Sequence, residues 1–556
     1  MPKAIIMKKN DTAEKTEINV AGTIFQNKIV KICMAVFIIV AVIFLCYGKI
    51  INFGLTELDD HNFIFLCAPS YDQNYALIKA FKANVMFDKY PSLYYRPIVT
   101  CAFIIQNKIA GPSVKFAHFS SVFLHIFASV LIFFFLKKYL FSTEISFAAA
   151  LLFAVHPSAM YSAVWATAIQ ESILLISFII SLACFSEYIK GVKYRQIFFA
   201  LHIIFMLICF FDKESAVSFP FIFLLYYFLF KENNQKLQKH VYVIWIASMF
   251  FFLYMRRLAG NSGGIGLPHI TADNIAMLFD YYYSLVFLRT PFGAVVSTKI
   301  FVFGGIAILI CAVFAFLDGK KFKIKKINLF YFLLPLLIVG PSIIAGNRLW
   351  SQGNRIYPMC FAVIIIFFFF LKPYIENKKT KIYVIIFLAV FMIACASISY
   401  KRSEVFRNGT NFWSEILKEA PYNITAMKFH ALSLRKEGRL QESLQEFHYL
   451  SNTTNYLYDE VNYHFAETLL LAEAFGDAAK VFERIIENKQ MLIAQVYAGA
   501  VIANYFLNEK DKADIYFNKL TEMLNADFDN TNKYCNSYFQ YIHTLKREME
   551  QHDVQH

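Results

Sequence analysis

Two adjacent carboxylates, Asp59 and Asp60, lie between Leu58 and His61, just beyond the first long apolar run of the chain. Acids at the end of an apolar helix are costly to keep there unless water or chemistry uses them. Either could act as a general base, taking a proton from an attacking hydroxyl; for the pair alone, a solvated turn is the simpler alternative. Arg96, Lys213, Arg348 and Arg355 are cations near the ends of later apolar runs. A phosphate leaving group at a bilayer surface needs such cations to offset its developing charge, although Arg and Lys at span ends also serve as snorkelling anchors. His156, before Pro157, closes an apolar run, where a lone histidine is either a hydrogen-bonded structural residue or part of a site. Glu171 is harder to dismiss. It falls within the apolar run 162–185, where an ionised carboxylate requires a partner or a water-filled cavity. Asp212-Lys213-Glu214 reads equally well as a capped turn with internal pairing.

Other chemistries lack their residues. No G-x-x-x-x-G-K-[ST] loop occurs, and the glycines of 260–266 precede no strand–helix unit, so a flexible loop accounts for them. No Ser-His-Asp or Cys-His arrangement stands out. Most of the ten cysteines sit inside apolar runs as small hydrophobes, and no C-x-x-C spacing occurs. Neither a disulfide framework nor a zinc site is expected, and no cofactor is required; the sequence leaves metal dependence open.

The elements that must position these residues are apolar. Of 556 residues, 58% are hydrophobic, 18% aromatic and only 17% charged, against about 45–50% apolar and about 25% charged in a soluble domain. The excess is confined to residues 30–400. It resolves into about eleven runs near the ~20-residue length of a span: 30–48, 115–136, 144–156, 162–185, 197–211, 216–230, 241–258, 301–317, 328–345, 356–371 and 381–399. The segment 274–296 is apolar as well, but it carries Asp280, Arg289 and a tyrosine run; an interfacial helix suits it better. The net charge of +14 comes largely from lysines in alternate short loops, such as Lys137-Lys138, Lys320-Lys321 and Lys378-Lys379. That pattern is a positive-inside bias and not a nucleic-acid footprint. It puts the polar, lysine-rich tail 1–29 in the cytoplasm as part of a retained signal anchor. The first loop (49–114), the candidate site residues and the C-terminal region then lie on the opposite side.

Residues 401–556 read as a soluble helical domain. Helical stretches break at Gly438, Gly476 and Asn508-Glu509. Ala431, Ala466 and Ala500 recur in successive first helices, and Ala478-Ala479 and Ala513 in the second ones. The period in the mid-thirties predicts about three tetratricopeptide-type helix pairs and a terminal helix near 531–548. The expected fold is therefore all-α: a polytopic transmembrane bundle followed by a tetratricopeptide-like α-solenoid.

Taken in order, several fragments resemble the C-type glycosyltransferase superfamily, and more closely its protein O-mannosyltransferase-like enzymes with C-terminal tetratricopeptide repeats. They are Leu58-Asp59-Asp60-His61, Tyr94-Tyr95-Arg96-Pro97, His156-Pro157 with Val164-Trp165, Lys213-Glu214, Phe287-Leu288-Arg289-Thr290-Pro291, and Asn354-Arg355-Ile356-Tyr357-Pro358. Trp413, Pro421 and Asn423 then lead into the repeats. The resemblance implies a sugar moved from a polyprenyl-phosphate donor to an extracytoplasmic hydroxyl, with inversion. By position it makes Asp59 the base with Asp60 assisting, or the reverse. It has Arg96, Lys213 and Arg355 hold the lipid phosphate or shape the pocket, and Glu214 orient Lys213. The chain departs from the pattern at Ile169-Gln170-Glu171, which keeps an acid but lacks the arginine common in relatives. It departs again at Asn354-Arg355, where relatives often have Glu-Arg. The implied partners are the lipid-linked sugar and a protein acceptor recruited by the repeats. A non-enzymatic membrane scaffold is the other reading of the same layout. The compact loops and the lack of an evident retention signal favour a bacterial cytoplasmic membrane over an endoplasmic reticulum.

Overall fold

The computed structural model describes residues 28–57, 59–87, 94–231, 237–260, 271–289, 298–318, 321–322, 325–344, 353–453, 459–488, 493–525 and 528–553. Arg348 and most of the tail 1–29 lie outside these residues. The described chain is helical apart from one two-stranded ladder, Leu317–Asp318 with Lys321–Phe322. It divides into two compact units. One comprises the residues up to Phe53 together with Asp59–Glu404, and the other Gly54–Leu58 with Val405–His556.

In the first unit the long helices are α1 (Lys28–Tyr47), α2 (Pro97–Ala110), α3 (Val114–Tyr139), α4 (Thr143–Val155), α5 (Pro157–Val164), α6 (Ile169–Ile189) and α7 (Arg195–Asp212). They continue with α8 (Phe219–Phe230), α9 (Lys239–Leu258), α10 (Ala272–Phe287), α11 (Thr298–Phe316), α12 (Lys326–Ile344), α13 (Tyr357–Glu376) and α14 (Lys381–Ser403). Local chemistry sets their starts. Ser113 caps α3 by accepting the Phe116 N–H at 3.3 Å, and Pro97, Pro157, Pro220 and Pro358 fall in first turns, where a missing N–H is harmless.

Eight helices among the described residues are long and apolar enough to cross a membrane. Each of the eleven expected segments is helical, but three do not stand alone as full spans. Segments 216–230 and 328–345 correspond to the shorter apolar helices Glu214–Phe230 and Lys326–Ile338. Segment 144–156 ends early because a residue before proline is pushed out of the helical region. His156 has ψ 130°, and α4 and α5 meet at a 62° bend as one broken pair. The expected run 162–185 is accordingly split, and Glu171 sits in the first turn of α6 rather than deep within a span.

Burial grades the bundle. The apolar stretch of α6 is 78% buried, whereas that of α14 is 17% buried. Polar ties lock the interior. His125 lies between the Tyr357 hydroxyl at 3.0 Å and the Ala154 carbonyl at 3.0 Å. His202 Nε2 accepts the Trp245 indole N–H at 3.0 Å while Nδ1 faces Ser181. Helix α10 packs closely on α11. A Cβ at Gly304 would come within 2.5 Å of the Phe279 carbonyl oxygen, so only glycine permits this approach.

The second unit contains α15 (Gly409–Glu419), α16 (Ile424–Lys436), α17 (Leu440–Thr453), α18 (Asp459–Leu471), α19 (Phe475–Glu487), α20 (Ala494–Phe506), α21 (Lys510–Leu524) and α22 (Phe528–Asp553). First helices begin at 424, 459 and 494, and second helices at 440, 475 and 510, a constant step of 35 residues. Each pair turns through one left-handed residue at the same phase: Gly438 (φ 80°), Glu473 (φ 59°) and Asn508 (φ 62°). The expected break at Gly476 is therefore misplaced. Gly476 lies inside α19, and the turn falls on Glu473, which adopts the left-handed region despite its side chain. Ser443, Ala478 and Ala513 recur at the fourth position of the second helices and are all buried, small enough for helix crossing.

Candidate functional site

The antiparallel packing of α6 and α7 brings the start of one to the end of the other. That end of the bundle collects the ionic residues. From α6 come Gln170 and Glu171; from the end of α7 and the turn after it come Asp212, Lys213 and Glu214; from the residue before α2 comes Arg96. The buried pair at the centre is Lys213 with Glu171, at 2.5 Å, their side chains 7% and 0% exposed. Beside it the Arg96 Nε donates to Glu214 Oε2 at 3.0 Å and Nη1 to Gln170 Oε1 at 2.6 Å. The other Glu214 oxygen accepts the Tyr95 N–H at 2.8 Å. Asp212 is electrostatically coupled to Glu171, Arg96, Lys213 and Glu214, and Lys213 also senses Arg355.

Arg355 is buried in the short helix Gly353–Ile356 that leads into α13. Its placement depends on Gly353, because a Cβ there would fall 2.4 Å from the Tyr161 ring of α5. The helix carrying Arg355 therefore lies directly on the broken pair.

Asp60 is 1% exposed, and its Oδ1 accepts both the Trp165 indole N–H at 2.9 Å and the Thr167 hydroxyl at 2.8 Å. Both donors lie in the linker between α5 and α6. Ser121 of α3 also bonds that linker, through the carbonyls of Trp165 and Ala166. The linker thus carries both partners of Asp60 and leads directly into the first turn of α6, which holds Glu171. Asp59 is half-buried, and its carbonyl accepts the Phe63 N–H at 3.2 Å. The two acids differ in exposure: Asp59 is half-buried, and Asp60 is enclosed with its Oδ1 held by two donors.

The hydrogen-bonding balance of the cluster is incomplete. Among the described residues, Asp212 Oδ1 and Oδ2 and Glu171 Oε2 are buried without a hydrogen-bond partner. Arg96 and Lys213 keep donors beyond those already spent, since guanidinium has five N–H groups and ammonium three. Buried acceptors of this kind call for a hydroxyl or water, and the spare cationic donors suit an anion.

Of the residues expected from sequence, Asp60, Arg96, Glu171, Lys213, Glu214 and Arg355 all lie in this interconnected region. His156 has other partners: Nδ1 accepts the Ser158 N–H at 3.1 Å, capping α5, and the ring also bonds the Leu285 carbonyl. Glu214 contacts Arg96 and Tyr95 in place of the expected Lys213, whose carboxylate partner is Glu171. Four members escaped the sequence reading as site residues: Gln170, Thr167, Trp165 and Asp212. Only Asp212 carried a usable signal, an acid ending an 18-residue apolar helix. Among the described residues no group of three or more His, Cys, Asp or Glu side chains is placed to share a metal ion. No known family, no curated protein and no solved structure matches the chain.

Proposed function

We propose that the chain is a membrane glycosyltransferase of the C type, moving one sugar from a polyprenyl-phosphate donor to a hydroxyl of an extracytoplasmic acceptor. The observation that carries this reading is the cluster of the buried Lys213, Glu171 and Asp212 with the half-buried Arg96 and Glu214. It combines spare cationic donors with orphaned carboxylate oxygens at one end of an apolar bundle. Such charges in a membrane-type interior cost several kcal/mol unless a polar ligand or water shares them. A phosphate-linked sugar offers both missing halves, an anion for the cations and hydroxyls for the acids.

In this mechanism Asp59, the accessible acid, takes the proton of the acceptor hydroxyl. The oxygen attacks the anomeric carbon as the bond from that carbon to the phosphate oxygen breaks, which inverts the configuration. The polyprenyl phosphate leaves with the bonding pair. Arg96, Lys213 and Arg355 stabilise the growing negative charge on the phosphate. Asp60, held by Trp165 and Thr167, fixes the loop that presents Asp59. The 35-residue helix pairs are read as a tetratricopeptide-type solenoid that recruits a protein acceptor. The N-terminus is assigned to the cytoplasm and the acids and repeats to the far side, most simply in a bacterial cytoplasmic membrane.

The test is transfer by the purified full chain from a panel of polyprenyl-phosphate sugars, with the product mapped by mass spectrometry. Asp59→Asn is expected to lower the rate by about 10²–10⁴, the usual worth of a general base, with the melting profile unchanged. A scaffold would show no transfer from any donor, and its partner binding would survive both Asp59→Asn and Asp60→Asn. Cysteine-accessibility labelling that placed residue 59 and residue 450 on opposite sides of a membrane would also end the proposal.

A further inference from the structure

A cavity of about 170 Å³ lies where the end of α11 and the starts of the ladder and α12 meet the end of α13. Its lining includes Lys325, Asn328, Phe369, Phe370, Tyr374 and Asn377. The volume is more than ten times the roughly 10–15 Å³ that one buried water needs. Helix α13 runs 20 residues from the Arg355 end to this end, and at 1.5 Å per residue that is about 30 Å, one hydrocarbon thickness. The cavity is therefore at the other end of the bundle from the candidate transfer site.

Three features define what it would hold. Asn328 is 8% exposed and its amide nitrogen donates to the Ala315 carbonyl at 2.6 Å, but among the described residues its Oδ1 has no partner. A buried acceptor left unmade costs about 1–3 kcal/mol, and it can be satisfied only by a donor such as a hydroxyl. Lys325 contributes a cation at the rim, in a stretch that also holds Lys320, Lys321, Lys323 and Lys326. The Asn377 Oδ1 accepts the Lys379 N–H at 2.9 Å, which turns its amide N–H₂ to donor use. Phe369 and Phe370 supply an apolar wall, and Tyr374 adds a ring of the kind favoured at membrane interfaces. Basic pockets between spans on a lysine-rich face suit anionic lipid headgroups.

We infer that this cavity binds the headgroup of an anionic phospholipid carrying free hydroxyls, a glycerol-phosphate headgroup. Its phosphate faces Lys325 and the Asn377 amide, and a glycerol hydroxyl donates to Asn328 Oδ1. The acyl chains lie along the phenylalanine wall.

Native mass spectrometry of the full chain, delipidated in detergent and titrated with phosphatidylglycerol, phosphatidic acid, phosphatidylcholine or soluble glycerol 3-phosphate, tests the assignment. Phosphatidylglycerol is expected to be retained at least five-fold more tightly than phosphatidylcholine, and glycerol 3-phosphate not to displace it. Lys325→Gln should remove most of that preference without changing the melting profile. Asn328→Leu should bring phosphatidylglycerol down to the affinity of phosphatidic acid, which lacks the glycerol hydroxyls. If Asn328→Leu fails to fold, Lys325→Gln alone decides. Equal retention of phosphatidylcholine, an unchanged preference in Lys325→Gln, or displacement by glycerol 3-phosphate would each overturn the proposal.

Discussion

Both units bury a carboxyl group, and they treat it in opposite ways. In the repeat unit Glu467 is 2% exposed, yet neither of its oxygens lacks a donor. Oε1 accepts from the Tyr463 hydroxyl at 2.8 Å and the Tyr538 hydroxyl at 3.3 Å. Oε2 faces His464 Nδ1 at 3.1 Å and Arg435 Nη1 at 3.5 Å. Arg435 in turn donates to Thr468 at 3.2 Å. In the first unit Asp212 is equally enclosed, and among the described residues neither of its oxygens has a hydrogen-bond partner. A satisfied buried network specifies a core; an unsatisfied one has donors and acceptors left for a ligand. Burial of charge alone does not mark a site; in the first unit it is the orphaned oxygens of Asp212 and Glu171 beside Lys213 and Arg96 that set the cluster apart.

The sharpest break of that contrast is Glu467→Gln. It leaves the Arg435 guanidinium buried without its counter-charge, which typically costs about 3–5 kcal/mol. Each kcal/mol should lower the melting temperature by roughly 2–4 °C in a unit of this size, read by calorimetry on the full chain. A drop of under ~1 kcal/mol would mean that the network is not the core element its geometry implies.

Gly353→Ala comes next. The added Cβ would fall 2.4 Å from the Tyr161 ring, so the short helix or the ring must move, at about 1–3 kcal/mol. The displacement falls on Arg355, so transfer should weaken more than the melt does. Pairing it with Tyr161→Ala should restore part of both. Lost stability with unaltered transfer would separate Arg355 from the site.

Asp212→Asn should do the reverse of Glu467→Gln. It replaces a buried carboxyl that has no hydrogen-bond partner among the described residues by an uncharged amide of the same shape, so stability should stay within about 1 kcal/mol or rise. Sugar transfer should fall by roughly ten-fold or more, as expected for a group that meets substrate hydroxyls. If stability fell as far as in Glu467→Gln, Asp212 would belong to the packing, and the contrast between the units would collapse.

What could be read from sequence follows the range of the interaction. The apolar runs and the repeat with a period in the mid-thirties are local or periodic, and both predicted helices that exist. The boundary expected at 400/401 lies close to the observed one, after Glu404. The assignment of Gly54–Leu58 to the repeat unit was not legible. It depends on the Trp413 indole N–H donating to the Thr56 carbonyl at 2.8 Å, across 357 positions, and on Lys436 reaching Glu57. A backbone carbonyl has no residue type to signal it. The pairing of Lys213 with Glu171, instead of its neighbour Glu214, was equally hidden. It exists only because α6 and α7 pack antiparallel, and no spacing within either helix implies it.

The mildest test uses pH on the same satisfied carboxylate. Burial alone would raise the pKa of Glu467, but its hydrogen bond with His464 and the charge of Arg435 outweigh that and hold it below the ordinary glutamate value. A group whose folded pKa is depressed contributes stability above its unfolded pKa of about 4.3 and loses it as pH falls through the folded value. The repeat unit should therefore melt at nearly constant temperature from pH 7 to about 5 on account of this group, then progressively lower as acid protonates Glu467. Glu467→Gln has no proton to take up, so its melting temperature, already reduced, should fall less steeply below pH 4. Parallel acid limbs in the two proteins would mean that other carboxylates set the acid sensitivity of the unit and that Glu467 is not held ionised by its partners.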